Sequence, residues 1–116
     1  MILLFLCLYL FAGTSEHVVL SMKNTENNIF VEVRAKKPFI INDAAPWSLE
    51  LLEYKGIEII KNKFSKNDFA IKSDNVTVKI GRSNNEKPKL KVKITSFVCT
   101  ENKSQCFRDS SEEILN

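Results

Sequence analysis

The sequence predicts an all-β protein, a single antiparallel sandwich. Three observations carry that expectation. Apolar residues recur with a period of two in four separate runs, turn-forming residues stand between the runs, and no segment holds a long helical period. Strands at such spacing, each with one apolar face, bury those faces by packing one sheet on another.

The elements follow in order. Ile29, Val31, Val33 and Ala35 alternate with Phe30, Glu32, Arg34 and Lys36. Trp47, Leu49 and Leu51 alternate with Ser48, Glu50 and Leu52. Val76, Val78 and Ile80 alternate with Asn75, Thr77 and Lys79. Leu90, Val92, Ile94, Ser96 and Val98 alternate with Lys91, Lys93, Thr95 and Phe97. The expected inward set is Ile29, Val31, Val33, Trp47, Leu49, Val76, Val78, Leu90, Val92 and Ile94. Trp47 reads as core because it shares a face with Leu49 and Leu51. Turn signals lie at Lys23 to Asn28, Asn42 to Pro46, Lys55-Gly56, Ser73-Asp74 and Gly81 to Pro88. Only Ser110 to Leu115 reads as a short helix or a frayed end.

The amino terminus is of another kind. Ile2 to Gly13 is an uncharged apolar run, too short to span a bilayer comfortably and suited to a signal-peptide core. Small residues Gly13 and Ser15 fit cleavage after Ser15. Residues 1–15 therefore read as a signal peptide or a short membrane-anchoring segment, and residues 16–116 as one domain. Any contact with a membrane is expected only through an uncleaved leader. Removal of the leader takes Cys7 with it. Cys99 and Cys106 then remain, an even pair in an oxidising compartment.

Composition narrows the function classes. Seventeen basic and fourteen acidic residues are interleaved along the chain, for a net charge of +3. The lysines at 87, 89, 91 and 93 fall at every second position, which is the solvent face of a strand and not a nucleic-acid-binding patch. No nucleic-acid partner is expected. The single histidine, His17, sits beside the expected mature terminus, a poor place for a triad or a metal ligand. Two cysteines without a second histidine do not build a structural zinc site. Three glycines, Gly13, Gly56 and Gly81, form no phosphate-binding loop. Neither a cofactor nor a metal is expected.

What remains is the cysteine pair. The run Lys89 to Val98 leads into Cys99, the segment Thr100 to Gln105 is short and polar, and Cys106-Phe107 follows. This is the pattern of a hairpin with a cystine across its mouth. Closing so small a ring constrains the unfolded chain by only about 2–3 kcal/mol. A small hairpin cystine on a protruding loop is open to exchange. From the residues alone, a structural staple and a working redox pair both stand. Asn75-Val76-Thr77 and Asn102-Lys103-Ser104 are formal glycosylation acceptors, the second inside the cysteine loop.

The segment from Ala35 through Pro38-Phe39-Ile40-Ile41-Asn42 to Ala45-Pro46-Trp47 resembles the start of the N-terminal periplasmic domain of the thiol:disulfide interchange protein DsbD and its relatives. The run Leu90 to Cys99, with Cys106-Phe107 after it, is similar to that family's closing signature. There, a strand delivers the first redox cysteine and the second precedes an aromatic residue. Asn62 to Ile71 falls where the family carries a cap loop. In two features the chain departs from the pattern. Arg108-Asp109 stands where the family has prolines, and the loop between the cysteines is a residue longer.

The resemblance implies an immunoglobulin-like sandwich, exported, and periplasmic in a bacterium or otherwise secreted. Its cystine accepts electrons from a thioredoxin-like partner and passes them to oxidised client proteins. By similarity Cys106 enters the mixed disulfide and Cys99 resolves it. Phe64 or Phe69 caps the pair, and Asp68 is a nearby carboxylate that handles a proton. The alternative is a secreted β-sandwich binding or structural module with an inert disulfide.

Overall fold

The computed structural model describes residues 16–58, 61–83 and 86–115. The leader expected at residues 1–15, with Cys7, lies outside them. Among the described residues, nine strands form two antiparallel sheets. They are β1 (Val18–Asn24), β2 (Asn28–Ala35), β3 (Ile40–Ile41), β4 (Ser48–Lys55), β5 (Lys63–Ser65), β6 (Ala70–Ile71), β7 (Asn75–Gly81), β8 (Lys89–Cys99) and β9 (Cys106–Leu115). A 3-10 turn, Lys66–Asp68, joins β5 to β6.

One sheet has the order β1-β2-β7-β6. In the other, β9 pairs along almost the whole of one edge of β8. β4 and then β3 therefore share the opposite edge, against Lys89 to Thr95 and Val98 to Cys99. β5 adds to β4. Reading β1-β2-β7-β6 as A-B-E-D and β4-β8-β9 as C-F-G gives the immunoglobulin strand order. The all-β antiparallel sandwich expected from the alternating runs is the observed fold.

Alternation places the core. None of the ten residues expected to face inward is more than 2% exposed. Val31 faces Val78 across β2 and β7, and Leu49 faces Ile94 across β4 and β8, so branched side chains stack in rows on the inner faces. The chain turns at Gly56, where φ is 71° and an added Cβ would meet the Lys87 carbonyl oxygen at 2.9 Å. Glycine is required there by both backbone sign and space.

Two elements differ from expectation. Ser110 to Leu115 is neither helical nor frayed but the second half of β9, hydrogen-bonded to β8 in continuous register from Cys106 to Leu115. Its inward positions are Phe107, Asp109, Ser111, Glu113 and Leu115, all of them half-buried. Three of these five are polar, which hides the period-two signal. Before the first expected run lies β1, whose Val18 and Leu20 are buried and whose Met22 packs on the core.

A bulge in β4 resets its register against β8 beyond Leu51. The register shifts between Leu51 and Glu53, leaving Leu52 as the extra residue. Leu49 is 1% exposed and Leu52 38%. Leu49→Ala should therefore lower unfolding stability by about 2–5 kcal/mol. Leu52→Ala, in the same strand, should cost less than about 1 kcal/mol. Urea denaturation of the two variants checks this, and equal losses would contradict the burial pattern of β4.

Candidate functional site

Cys99 and Cys106 form a disulfide, with sulfurs 2.08 Å apart and Cα atoms 4.0 Å apart. They are the last facing pair of the β8–β9 ladder. Thr100 N–H donates to the Gln105 carbonyl at 2.9 Å, one residue further out. Narrow and wide pairs alternate in antiparallel ladders, so Cys99 and Cys106 occupy a non-hydrogen-bonded position, where facing Cα atoms come closest. A cystine fits across such a pair.

The loop is ordered by its own polar side chains. Asn102 Oδ1 accepts from Thr100 Oγ1 at 2.8 Å, from Ser104 N–H at 3.0 Å and from Ser104 Oγ at 2.8 Å. Lys103 N–H donates to the Thr100 carbonyl at 2.8 Å, with Lys103 itself at φ 60°. The Thr-x-Asn-x-Ser composition thus builds a turn that does not depend on the disulfide for its hydrogen bonds. It also engages the Asn102 side chain within the glycosylation motif.

The two cysteines have unequal surroundings. Cys99 lies on an inner strand, flanked by Ile40 of β3, and is 4% exposed. Cys106 lies on the edge strand β9 and is exposed. Two shallow grooves border the loop. One runs past Pro38, Phe39, Ile40, Asp74 and Glu101, the other past Ile41, Ile71, Lys72 and Lys103. Apolar floors and charged rims lie within reach of anything that approaches the cystine.

Of the remaining expected site residues, Phe64 and Asp68 sit on the far side of β4. Phe64 faces Leu49 from β5, with Lys61 Nζ 5.6 Å from its ring centre. Asp68 accepts from Lys61 Nζ at 2.6 Å and from Ser65 N–H at 2.9 Å. The Lys61 ammonium, and then the Ser65 amide, hold its carboxyl below the usual carboxylate range. Asp68 thus closes the turn that follows β5. Phe69 is 9% exposed, its ring 6.3 Å from Trp47, which in turn lies 6.2 Å from Phe97. Phe69 therefore belongs to the aromatic core beneath the cysteine-bearing end of β8. Trp47 is buried, as expected, and its indole N–H donates to the Asn42 carbonyl at 2.7 Å.

Beside the cystine strand lies a cluster that sequence reading passes over. The His17 ring stacks on Phe107 at 4.2 Å and meets Phe39 edge-on at 4.9 Å. His17 Nδ1 lies 3.0 Å from Asp109 Oδ1, and both side chains are 13% exposed. The contact ties the start of β1 to β9, on the face opposite Cys106. Its only sequence signal is the spacing Cys106-Phe107-x-Asp109. Below it the inner face of β9 stays polar. Ser96 is fully buried, and Ser111 Oγ is buried with no hydrogen-bond partner among the described residues. Burial pushes the Glu113 carboxyl up, against a smaller opposing effect of the Ile114 amide. Among the described residues no group of three or more His, Cys, Asp and Glu side chains is arranged to hold a metal ion.

No protein-family model matches the chain, and neither a curated protein nor a solved structure matches it.

Glu113 offers a pH test of the seam. Its folded-state pKa lies above the usual 4.5, so the folded protein binds more protons than the unfolded one in that region. Stability from this group rises as pH falls through the folded pKa. Glu113→Gln should therefore stabilise the protein at neutral pH, modestly because the side chain is half-exposed. The advantage should vanish below about pH 4, where the wild-type carboxyl is itself protonated. Thermal unfolding of both proteins across that range checks it; a gain that is independent of pH would contradict a desolvated carboxylate.

Proposed function

We propose that this chain is an exported thiol–disulfide exchange domain, passing electrons from a thioredoxin-like partner to oxidised proteins through Cys99 and Cys106. The observation that carries the reading is the unequal exposure of the pair, with Cys106 open on an edge strand and Cys99 4% exposed on an inner one. Exchange needs one sulfur that an incoming thiolate can reach in line and one that leaves and later returns. The resemblance of Leu90 to Cys99 and Cys106-Phe107 to the DsbD N-terminal domain supports the same assignment.

The chemistry balances in two halves. A thiolate of the reduced partner attacks Cys106 Sγ. The Cys99–Cys106 bond breaks, and its electron pair departs on Cys99 Sγ, which takes up a proton. The partner's second thiol then displaces Cys106, leaving an oxidised partner and a reduced pair. On an oxidised client, Cys106 thiolate attacks the client disulfide and Cys99 thiolate resolves the adduct. The cystine re-forms and the client gains two electrons. The self-bonded Thr100–Gln105 loop lets the pair open without releasing the hairpin. The flanking grooves offer a partner apolar contact beside the reacting sulfur.

The second reading is a secreted binding or structural module with an inert disulfide. What favours it is the engagement of Asp68 with Lys61 and Ser65, beyond β4 from the strand that carries Cys99.

Cys99→Ala should trap a mixed disulfide through Cys106 with a thioredoxin-like protein that keeps only its attacking cysteine, activated as an aryl mixed disulfide, because neither protein then holds a resolving thiol; the adduct is seen as a new species by non-reducing mass spectrometry. Cys106→Ala should trap far less, because Cys99 is shielded. The wild-type pair should have a reduction potential above about −300 mV, and reduction should cost no more than about 2–3 kcal/mol of stability. A lower potential with no trapped adduct would leave the inert module as the better account.

A further inference from the structure

β9 is the longest strand edge that no described strand covers. Hydrogen-bonded and non-hydrogen-bonded positions alternate along it. Thr100 donates to Gln105 across the hairpin, and Asn42 donates to the Phe97 carbonyl on the other edge of β8. The backbone groups of Phe107, Asp109, Ser111, Glu113 and Leu115 are therefore turned toward β8. Those of Cys106, Arg108, Ser110, Glu112 and Ile114 are turned outward.

We propose that this edge is an interaction surface for a second copy of the same chain. The two β9 strands pair antiparallel about a twofold axis through Ser110. In that register Ser110 faces Ser110, Arg108 faces Glu112, and Glu112 faces Arg108, so two opposite-charge pairs lie on the outer face. The outward backbone parity also allows the neighbouring registers, and charge rejects each of them. An axis through Arg108 sets Arg108 against itself, and one through Asp109 sets Asp109 against itself. An axis through Ser111 sets Asp109 against Glu113, and one through Glu112 sets Glu112 against itself.

The orphaned hydroxyl supplies an independent reason. Ser111 Oγ is buried and has no hydrogen-bond partner among the described residues. In the Ser110-centred register Ser111 faces Asp109 of the second copy, and rotation about χ1 turns the Ser111 hydroxyl from the interior toward that carboxylate, which His17 of the second copy also contacts. On the outer face Glu112 already lies 3.6 Å from Lys91, and Arg108 of the second copy joins that pair. Ile114, 57% exposed in one chain, comes to face Cys106 of the other, so the dimer covers the edge that thiol exchange uses and only the monomer offers Cys106 to a partner. A twofold axis closes the assembly at two copies. The pairing does not rest on the redox reading, since none of its tests touches a cysteine.

Sedimentation equilibrium of the protein purified from its full-length gene tests the pairing. A reversible monomer–dimer equilibrium is expected. Arg108→Glu and Glu112→Arg should each weaken it at least about tenfold, because both symmetry-related pairs become like-charged. The double variant R108E/E112R should regain the dimer, which a misfolded chain could not do. Ser110→Pro should abolish the dimer and leave circular dichroism unchanged, since the Ser110 N–H points away from β8. A monomer at all concentrations overturns the proposal. So does a dimer indifferent to Arg108→Glu and Ser110→Pro, or a double variant that does not recover.

Discussion

Hydrogen bonding along both edges of β8 is the constraint on which the structure depends. β9 occupies one edge, and β4 followed by β3 occupies the other. Leu90, Val92, Ile94, Ser96 and Val98 point into the sandwich from this single strand, and all are buried. A slip of one residue would turn these inward side chains out and bring Lys89, Lys91 and Lys93 into the core. No such slip is tolerable, so the register of β8 fixes where each of its neighbours must lie. The same register delivers Cys99 to the end of the sheet, opposite Cys106.

The site inherits its asymmetry from that arrangement. One covalent bond joins an inner strand to an edge strand, and burial follows strand position rather than any difference in the cysteines themselves. The hairpin does not need the bond for its alignment. Ten facing pairs already fix β9 on β8, and the Thr100–Gln105 turn is held by Asn102. A ring this small adds about 2–3 kcal/mol at most. Its accessibility is therefore the more informative property, and accessibility is what separates Cys106 from Cys99.

The edge strands show how the sandwich manages its open side. β1 and β9 end the two sheets on that side, and His17 clasps them by stacking on Phe107 and pairing with Asp109. Beyond the clasp, β9 turns polar groups inward, where a core strand would carry aliphatic ones. Inward-pointing charge discourages indiscriminate strand addition. It also leaves the Ser111 hydroxyl without a hydrogen-bond partner among the described residues, while the Glu113 carboxylate takes the Ile114 N–H at 3.2 Å. Such an edge accepts only a strand whose polar groups answer its own.

The amino-acid sequence by itself determined the β class, the inward residues of four strands, the burial of Trp47 and the hairpin that joins Cys99 to Cys106. It could do so because each rests on local alternation or on near neighbours in the chain. Tertiary structure decided the rest. The second half of β9 reads as a strand only beside β8, since Asp109, Ser111 and Glu113 erase its apolar period. In β4 a bulge, which no local signal marks, sets Glu53 opposite Lys91 and Tyr54 opposite Leu90. Phe69 packs on Trp47 because β6, which it precedes, lies in the sheet opposite β4. His17 meets Asp109 across 92 residues of chain. Contacts of that span depend on how two sheets stack, and a period-two pattern carries no information about which edge will face which.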